Sequence, residues 1–121
     1  MDIYFAYIRK IDGEGIFILP GTIIDMNVNI CDNVLINIAC NIAHDSIVRE
    51  HSFVAPGVTI AGNVEIGECN FVGVGSTILD GIKTCPEVVI GGGAVVTKDI
   101  NLPGVYVGVP ARRLKDNIYF P

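Results

Sequence analysis

The chain has 121 residues, carries a formal net charge of −5 and is 50% hydrophobic. A chain of this length forms one domain, and its acidic balance argues against nucleic acid as a partner. No apolar run approaches the roughly 20 residues needed to span a bilayer, so we expect no membrane partner either.

The first fifteen residues carry no basic leader and no cleavage pattern, so no signal peptide is expected. Their apolar side chains, Tyr4, Phe5, Tyr7 and Ile8, are expected to cover one open end of the domain that follows. We therefore assign residues 1–15 to an N-terminal cap segment and predict a cytoplasmic location.

A six-residue period begins at Ile18. Every sixth residue from there to Val96 is Ile or Val, with one exception at Thr84. A second series lies four residues after each of these, runs from Thr22 to Ile100, and is mostly small or β-branched. Six is neither the 3.6-residue period of a helix nor the alternation of a strand. A fixed short period predicts the stacked turns of a parallel β-helix.

The repeats fill residues 16–102, and a tail at 103–121 leaves the pattern at Pro103. If three hexads make one coil, residues 18 apart stack and the chain forms an all-β domain of about five coils. Such a coil has a long, thin core, because each turn buries few side chains. Much outer surface remains, so self-association is expected.

Four cysteines raise the question of disulfides. Cys31 and Cys85 share one column but lie three coils apart, roughly 14 Å at strand spacing, which is too far for a disulfide. Cys40 takes an inward position, Cys69 lies at a corner, and no CxxC motif occurs. These features predict four reduced thiols, as in a cytoplasmic protein.

His44 is the residue with the clearest chemical potential. It lies between the inward Ile42 and Ser46, so it should face outward beside Asp45, where a neutral imidazole can act as a general base. Stacking places Gly62 one coil away, leaving room over the ring and an amide for a developing oxyanion. A solvated histidine beside a turn-forming aspartate is an equally valid interpretation of these residues alone.

Further stretches point to a family. Residues 34–67 read VLINIACNIAHDSIVREHSFVAPGVTIAGNVEIG, and later segments read FVGVGSTILDG, VVIGGGAVVTKDI and YVGVPARRL. Over roughly residues 16–115 the chain resembles the sugar acetyltransferases of the sialic acid O-acetyltransferase type, which include bacterial amino-sugar N-acetyltransferases. The resemblance implies a left-handed coil, a homotrimer as the active unit, and acetyl-CoA in the groove between neighbouring coils.

The resemblance also implies roles for individual residues. His44 matches the general base, which takes a proton from the acceptor amine or hydroxyl as that group attacks the acetyl thioester. Asp45 matches the acidic partner that orients the imidazole, and Asn37 matches an asparagine near the acceptor. Gly62 matches the glycine whose amide faces the thioester oxygen.

On the cofactor side, Val74 and Gly92 fall where the family's acetyl-CoA lies along the groove. Lys98, Arg112 and Arg113 are candidates for its phosphates, because clustered cations suit them. A solvated surface is the alternative for those three cations.

The chain also departs from the family pattern. Phe53 stands where the family often has a second histidine that helps to hold the cofactor, and we keep it as a cofactor-binding candidate. His51, two residues earlier, becomes a substrate-binding candidate. Relatives carry a nucleotide-sugar-binding domain before the coil, whereas about fifteen residues precede it here. Three explanations of this difference stay open: the acceptor differs, another chain supplies that site, or the chain is a shortened descendant.

Two other functions remain open at this point. A catalytically idle β-helix that serves as a scaffold or partner subunit is the first. The second is a zinc enzyme of the γ-carbonic anhydrase kind, which shares this coil but needs three imidazoles. The chain has two histidines, so we expect no metal.

Overall fold

The computed structural model describes residues 4–5, 10–11 and 13–117, the two short pairs through their backbone alone. These residues form seventeen strands and no helix. The strands are β1 (Tyr4–Phe5), β2 (Lys10–Ile11), β3 (Phe17–Ile18), β4 (Ile23–Ile24), β5 (Asn29–Ile30), β6 (Leu35–Ile36), β7 (Asn41–Ile42), β8 (Ile47–Val48), β9 (Phe53–Val54), β10 (Thr59–Ile60), β11 (Glu65–Ile66), β12 (Phe71–Val72), β13 (Thr77–Ile78), β14 (Val88–Ile90), β15 (Val95–Val96), β16 (Gly104–Val107) and β17 (Arg112–Lys115).

The strands stack into three sheets. The first sheet has the order β1-β4-β7-β10-β13-β15, the second β2-β5-β8-β11, and the third β3-β6-β9-β12-β14-β16-β17. Pairing is parallel except between β16 and β17, and through the central coils each residue lies opposite the one 18 positions later, as Ile42 does with Ile60. The predicted all-β parallel coil of about five turns is therefore confirmed.

Three corners join the sheets, and we name each after a residue it carries. The His44 corner, between the first and second sheets, comprises residues 25–28, 43–46, 61–64 and 79–82. The cysteine corner, between the second and third sheets, comprises residues 31–34, 49–52, 67–70 and 85–88. The glycine corner, between the third and first sheets, comprises residues 19–22, 37–40, 55–58, 73–76 and 91–94.

Both six-residue series point inward. From Ile24 to Val96 the first series is at most 1% exposed, except Thr84 at 5%, and the second series is buried from Thr22 onward. The core is therefore a continuous ladder of side chains along the coil axis. Each buried Ile or Val in it stabilises the fold by roughly 1.5–3 kcal/mol. The predicted inward position of Cys40, which is 0% exposed, is confirmed.

Small polar residues of the second series are satisfied inside the coil. The Ser46 hydroxyl donates to the Ala61 carbonyl at 2.9 Å and accepts from the Val64 N–H at 3.2 Å. The hydroxyls of Ser52 and Thr22 do the same: each donates to a backbone carbonyl and accepts from a backbone N–H of the next coil. Each hydroxyl thus ties one corner to the next coil and is itself paired as donor and as acceptor.

A third six-residue period lies in the backbone. Every sixth residue from Gly15 to Gly93 has a φ between 54° and 80°, the left-handed region that reverses the chain at each corner. Glycine and asparagine hold this conformation readily, but Ala39 and Glu87 also adopt it. The turn position is therefore fixed by the coil and not only by the local residue.

Thr84, the exception in the first series, is buried within a polar network. Its hydroxyl donates to Asn70 Oδ1 at 2.6 Å and accepts from the Gly67 N–H at 3.0 Å. Asn70 Nδ2 in turn donates to the carbonyls of Glu68 and Cys85, each at 3.0 Å. Threonine at this place satisfies polar groups that an aliphatic side chain would leave unpaired.

The last coil is two residues shorter than the others, which corrects one expectation from the sequence. The spacing places Ile100 in the second series, but the structure pairs it with Thr84 of the first series, 16 positions earlier. The turn after Val96 is shortened, and the Asp99 carboxylate closes it by accepting from the Lys83 N–H at 2.9 Å. Strand β16 then extends the third sheet, and β17 pairs antiparallel with it.

The cap segment can be described only in part. Strands β1 and β2 pair in parallel with β4 and β5, so backbone pairing begins before residue 16. The expectation that the side chains of Tyr4, Phe5, Tyr7 and Ile8 cover the end of the coil lies outside the described residues and side chains. Among the described residues, no helix has the length and apolar character to cross a membrane.

Candidate functional site

The His44 corner carries an outward imidazole. Strand β7 ends at the inward Ile42, and the chain turns inward again at Ser46, which is fully buried. The residues between them must face outward, and the side chain of His44 is 50% exposed. The alternation of inward positions is therefore the reason that this ring reaches solvent.

His44 and Asp45 form a direct pair. His44 Nδ1 lies 3.0 Å from Asp45 Oδ2, and the other oxygen, Oδ1, accepts from Asn27 Nδ2 at 2.6 Å. The Asn27 bond, followed by the His44 bond, holds the pKa of the Asp45 carboxyl below its usual value. An ionised carboxylate favours a proton on Nδ1 and leaves Nε2 free to accept another.

Gly62 packs against the imidazole ring. It is buried, and a Cβ added to it would come within 2.6 Å of both Cε1 and Nε2 of His44. The room that the missing side chain leaves is therefore filled by the imidazole itself, and only glycine permits this contact.

The N–H of Gly62 donates to no acceptor within residues 13–117. In the same column the N–H groups of His44 and Asp80 likewise donate to no acceptor within residues 13–117, whereas the Met26 N–H donates to Asp25 Oδ1 at 2.7 Å. At the glycine corner the Ile38 N–H donates to Asn37 Oδ1 at 2.8 Å. Ala61 precedes Gly62 and has no side-chain acceptor. The corner therefore presents an unpaired backbone donor next to the imidazole, as an oxyanion site requires.

Three other predicted residues lie at the glycine corner. Asn37 is half-buried, and its Oδ1 accepts from the Ile38 N–H. The strands of the first sheet separate its corner from the His44 corner. Val74 and Gly92 lie one coil apart, and a Cβ on Gly92 would be 3.1 Å from Val74 Cγ1. The exposed side chain of Val74 and the bare Gly92 leave a smooth edge along the coil axis.

His51 is not brought to His44 within one chain. It lies at the cysteine corner with a φ of 63°, and its Nδ1 is 3.2 Å from Asn33 Nδ2. The zinc hypothesis needs imidazoles that converge on one point, and the two histidines are on different corners. Within the described residues, no cluster of three His, Cys, Asp or Glu side chains could hold a metal ion.

Phe53 lies in an apolar ladder on the outer face of the third sheet. Its ring stacks on Phe71 with centroids 5.1 Å apart and planes 3° apart. The register places Phe17, Leu35 and Val89 in the same column. Phe17 is 63% exposed and Phe71 38%, so this apolar ladder forms an open hydrophobic face that does not adjoin the His44 corner of its own chain.

Lys98, Arg112 and Arg113 meet at the end of the coil. They line a cleft of about 190 Å³ together with Tyr106 and Asp99. Arg113 is held in place, because it donates to the Pro103 carbonyl and to Asp116. Two independent parts of the sequence thus supply one cationic cleft.

The cysteines offer no ready nucleophile. All four are free thiols, and burial raises the pKa of Cys31, Cys40 and Cys85. A raised pKa lowers the thiolate fraction at neutral pH and so the reactivity. The Cys40 thiol points inward and donates to the Ala55 carbonyl at 3.2 Å.

Two features of the site did not emerge from the sequence. The first is Asn27, the partner of Asp45. Its position 18 residues before Asp45 could have indicated this contact, because residues 18 apart stack on each other. The second is a trough of about 390 Å³ on the outer face of the first sheet. Its lining includes Ile23, Asp25, Asn41, Ala43, Thr59 and Ala61. Ala43 and Ala61 precede His44 and Gly62 in the chain, so one end of the trough lies at the His44 corner.

The fold and the site together define a hexapeptide-repeat β-helix with an outward His–Asp pair, and comparisons with known proteins extend this description. No protein-family model matches the chain. It is 39% identical over 83 residues to the UDP-3-O-acylglucosamine N-acyltransferase of Bordetella avium (strain 197N), covering 69% of this chain and 23% of the relative. It is 33% identical over 90 residues to the galactoside O-acetyltransferase of Escherichia coli (strain K12), covering 74% of this chain and 41% of the relative. The chain thus spans less than half of the length of these relatives.

Among solved structures, the chain is similar to the acetyltransferase domain of PglB from Neisseria gonorrhoeae FA1090 in complex with acetyl coenzyme A. The TM-score is 0.87 at 26% identity, over 93% of this chain and 55% of that one. The fold matches left-handed β-helix acyltransferase structures, so the predicted hand is confirmed. The chain is therefore a hexapeptide-repeat protein that resembles the sugar acyltransferases, as the sequence predicts.

Proposed function

We propose that this protein transfers the acetyl group of acetyl-CoA to an amino or hydroxyl group of a sugar or sugar nucleotide, with His44 as the general base. One observation carries the proposal: the exposed imidazole, its ionised partner Asp45 and the unpaired N–H of Gly62, on which the ring packs, belong to one corner of the coil. A base and an oxyanion donor are the two groups that direct acyl transfer needs.

The reaction follows from these positions. His44 Nε2 takes the proton of the acceptor amine or hydroxyl while the acceptor's lone pair attacks the thioester carbonyl carbon. The negative charge on the carbonyl oxygen is stabilised by the Gly62 N–H. The carbon–sulfur bond then breaks, and the departing thiolate takes the proton from His44, which regenerates the base and releases CoA. A positioned base of this kind contributes roughly 10²–10⁴-fold in rate.

Direct attack is preferred to an acyl-enzyme. A covalent route needs a nucleophile within reach of a base. Cys40 is buried in the core, and burial raises the pKa of Cys31 and Cys85, which lie at a different corner from His44.

Acetyl-CoA is assigned to the edge of the coil. Val74 and Gly92 line the glycine corner along the coil axis, and Lys98, Arg112 and Arg113 supply positive charge beyond it for the phosphates. The bound acetyl coenzyme A of the similar PglB domain supports this donor.

A homotrimer is proposed as the active unit. The apolar ladder exposes aromatic rings that association would bury, and an unpartnered face of this kind marks an interaction surface. In that assembly Phe53 would contribute to the cofactor groove from a neighbouring protomer, and Asn37 and His51 would meet the acceptor there. The cytoplasm is the proposed compartment, since it supplies acetyl-CoA and keeps thiols reduced.

The acceptor is proposed as a sugar because both curated relatives are named for sugar substrates, one as an N-acyltransferase and the other as an O-acetyltransferase. A screen with free and nucleotide-linked amino sugars and with galactosides separates nitrogen from oxygen acceptors. Release of the CoA thiol and the mass of the acetylated product are the readouts.

The test of the catalytic role is His44→Ala in the intact protein. We expect acetyl transfer to fall by at least roughly 10²-fold, while the affinity for acetyl-CoA and the oligomeric state are retained. His51→Ala is the matched comparison, and we expect it to raise the acceptor KM with a smaller effect on kcat. Unchanged turnover in His44→Ala would remove His44 from the mechanism.

The alternative is a catalytically idle scaffold or partner subunit. The apolar ladder favours it, because this face alone would justify an assembly role. Calorimetry and thermal shift with acetyl-CoA discriminate between the two functions. No heat and no shift at millimolar acetyl-CoA would support the scaffold and contradict the enzyme.

A further inference from the structure

The carboxylate of Asp45 is held from two directions. Oδ2 faces His44 Nδ1 at 3.0 Å, and Oδ1 accepts the 2.6 Å bond from Asn27 Nδ2. An ionised carboxylate can only accept hydrogen bonds, so the amide must present its nitrogen to it. Each oxygen of Asp45 therefore has one assigned partner.

The coil itself aligns Asn27 with Asp45. The two residues are 18 apart and occupy the same left-handed turn position, with φ values of 59° and 60°. The Asp45 N–H donates to the Met26 carbonyl at 3.1 Å, which fixes the two turns against each other. Because the backbones are matched, the two short side chains extend from equivalent points of adjacent coils.

We infer that Asn27 is a positioning residue for the base: by holding Oδ1 of Asp45 it keeps Oδ2 in line with Nδ1 of His44. This inference rests on the proposed function of His44. Its structural part, the control of the ring by Asn27 through Asp45, can be measured without any substrate.

The consequence is a fixed tautomer. When Oδ2 accepts from the Nδ1–H of the neutral ring, Nε2 carries no proton and stays available to the acceptor, next to Gly62. Without Asn27, the Asp45 carboxylate can rotate about its Cβ–Cγ bond, and the alignment with Nδ1 is no longer enforced. The ring then divides between tautomers, and one of them has Nε2 blocked by its own proton.

The electrostatic effect acts in the same direction. The Asn27 bond is the largest of the causes that lower the pKa of the Asp45 carboxyl. It therefore helps to keep the carboxylate ionised as well as oriented, and the ionised form is the stronger hydrogen-bond acceptor for the Nδ1–H of His44.

The test uses Asn27→Gly and Asn27→Ala in the full chain. Glycine holds the left-handed turn without strain, and Gly81 already does so in the same column; Ala39 shows that alanine is accepted at this turn position. Asn63→Gly is the matched control, because it makes the same change at the next turn of the column, at φ 56°. Ring ¹⁵N chemical shifts of His44 report the tautomer, and steady-state kinetics report kcat and KM separately.

We expect the wild-type ring to be mainly in the Nδ1–H form, and both Asn27 variants to show a larger Nε2–H fraction. Where transfer is measurable, kcat should fall roughly 10- to 100-fold with KM for acetyl-CoA unchanged, by analogy with lost outer partners of metal-ligating histidines. Asn63→Gly should leave the ring shifts as they are.

Unchanged His44 shifts in both Asn27 variants would overturn the positioning role, whatever the activity. A shifted tautomer in a protein that transfers acetyl to no acceptor would instead leave the positioning role standing and refute the proposed function. A fall in kcat that Asn63→Gly reproduces would show a general effect of the turn and would likewise overturn the inference.

Discussion

The imidazole of His44 packs directly on Gly62, so closely that a methyl group on Gly62 would lie 2.6 Å from Cε1 and Nε2. This contact and the bond from Nδ1 to Asp45 together fix the position of the ring. The contact also means that the glycine shapes the site sterically as well as offering its N–H.

Gly62→Ala should therefore displace the base without unfolding the coil. The His44 side chain is 50% exposed and can swing into solvent, so we expect only a small change in thermal stability. A displacement of this size should lower kcat by about 10²-fold. In a His44→Ala background the same change should cost no further activity, and a full additional loss there would contradict the steric explanation.

The unpaired N–H of Gly62 can be tested through Ala61. In the Asn37–Ile38 pair the asparagine side chain caps the following N–H at 2.8 Å, so Ala61→Asn should cap Gly62 in the same way. If that N–H stabilises the oxyanion, kcat should fall by roughly 10²–10³-fold. Ala61→Leu has a similar size and no acceptor, and equal losses in the two variants would speak against the oxyanion role.

The lowered pKa of Asp45 makes a prediction about acid stability. A carboxyl whose pKa in the folded state lies below its ordinary value of 3.8 stabilises the fold above that value and loses this contribution as the pH falls through the folded pKa. The difference in free energy of unfolding between wild type and Asp45→Asn should thus be constant near neutral pH and shrink below about pH 4. Denaturant titrations at several pH values measure it, and a difference that grows on acidification would reverse the sign.

Thr84 provides a test of the core. Thr84→Val leaves Asn70 Oδ1 and the Gly67 N–H unpaired inside the coil, which should cost about 1–3 kcal/mol in free energy of unfolding. Thr84→Ser keeps the hydroxyl and loses one methyl group, so it should retain the network at a smaller cost. A valine variant that is as stable as wild type would show that the network does not stabilise the fold.

The apolar ladder predicts an assembly. Phe71→Glu places a charge in its middle, next to Phe53, and should convert the proposed trimer into monomers, because a charge cannot be buried there unpaired. Lys83→Glu, on the exposed outer face of the second sheet, is the control and should leave the assembly intact. Sedimentation at several concentrations measures the result, and a trimer that survives Phe71→Glu would move the interface to another face.

The six-residue period was sufficient to predict the coil. The inward positions, the stacking of residues 18 apart, the outward direction of His44 and its nearness to Gly62 all follow from counting, because the coil repeats its geometry at every turn. The shortened last turn broke this counting: the spacing assigns Ile100 to the wrong series, since two fewer residues join it to Val96.

The sequence by itself thus determined the scaffold and the residue that faces outward, because inward aliphatic side chains are selected by burial and burial is periodic. Only the tertiary structure decided how the side chains at that corner combine. The bond from Asn27 to Asp45, the packing of the His44 ring on Gly62 and the unpaired N–H beside it depend on side-chain torsion angles and on which neighbour lacks an acceptor. Neither is periodic, so the placement of adjacent coils at one corner, and not the repeat alone, creates the candidate site.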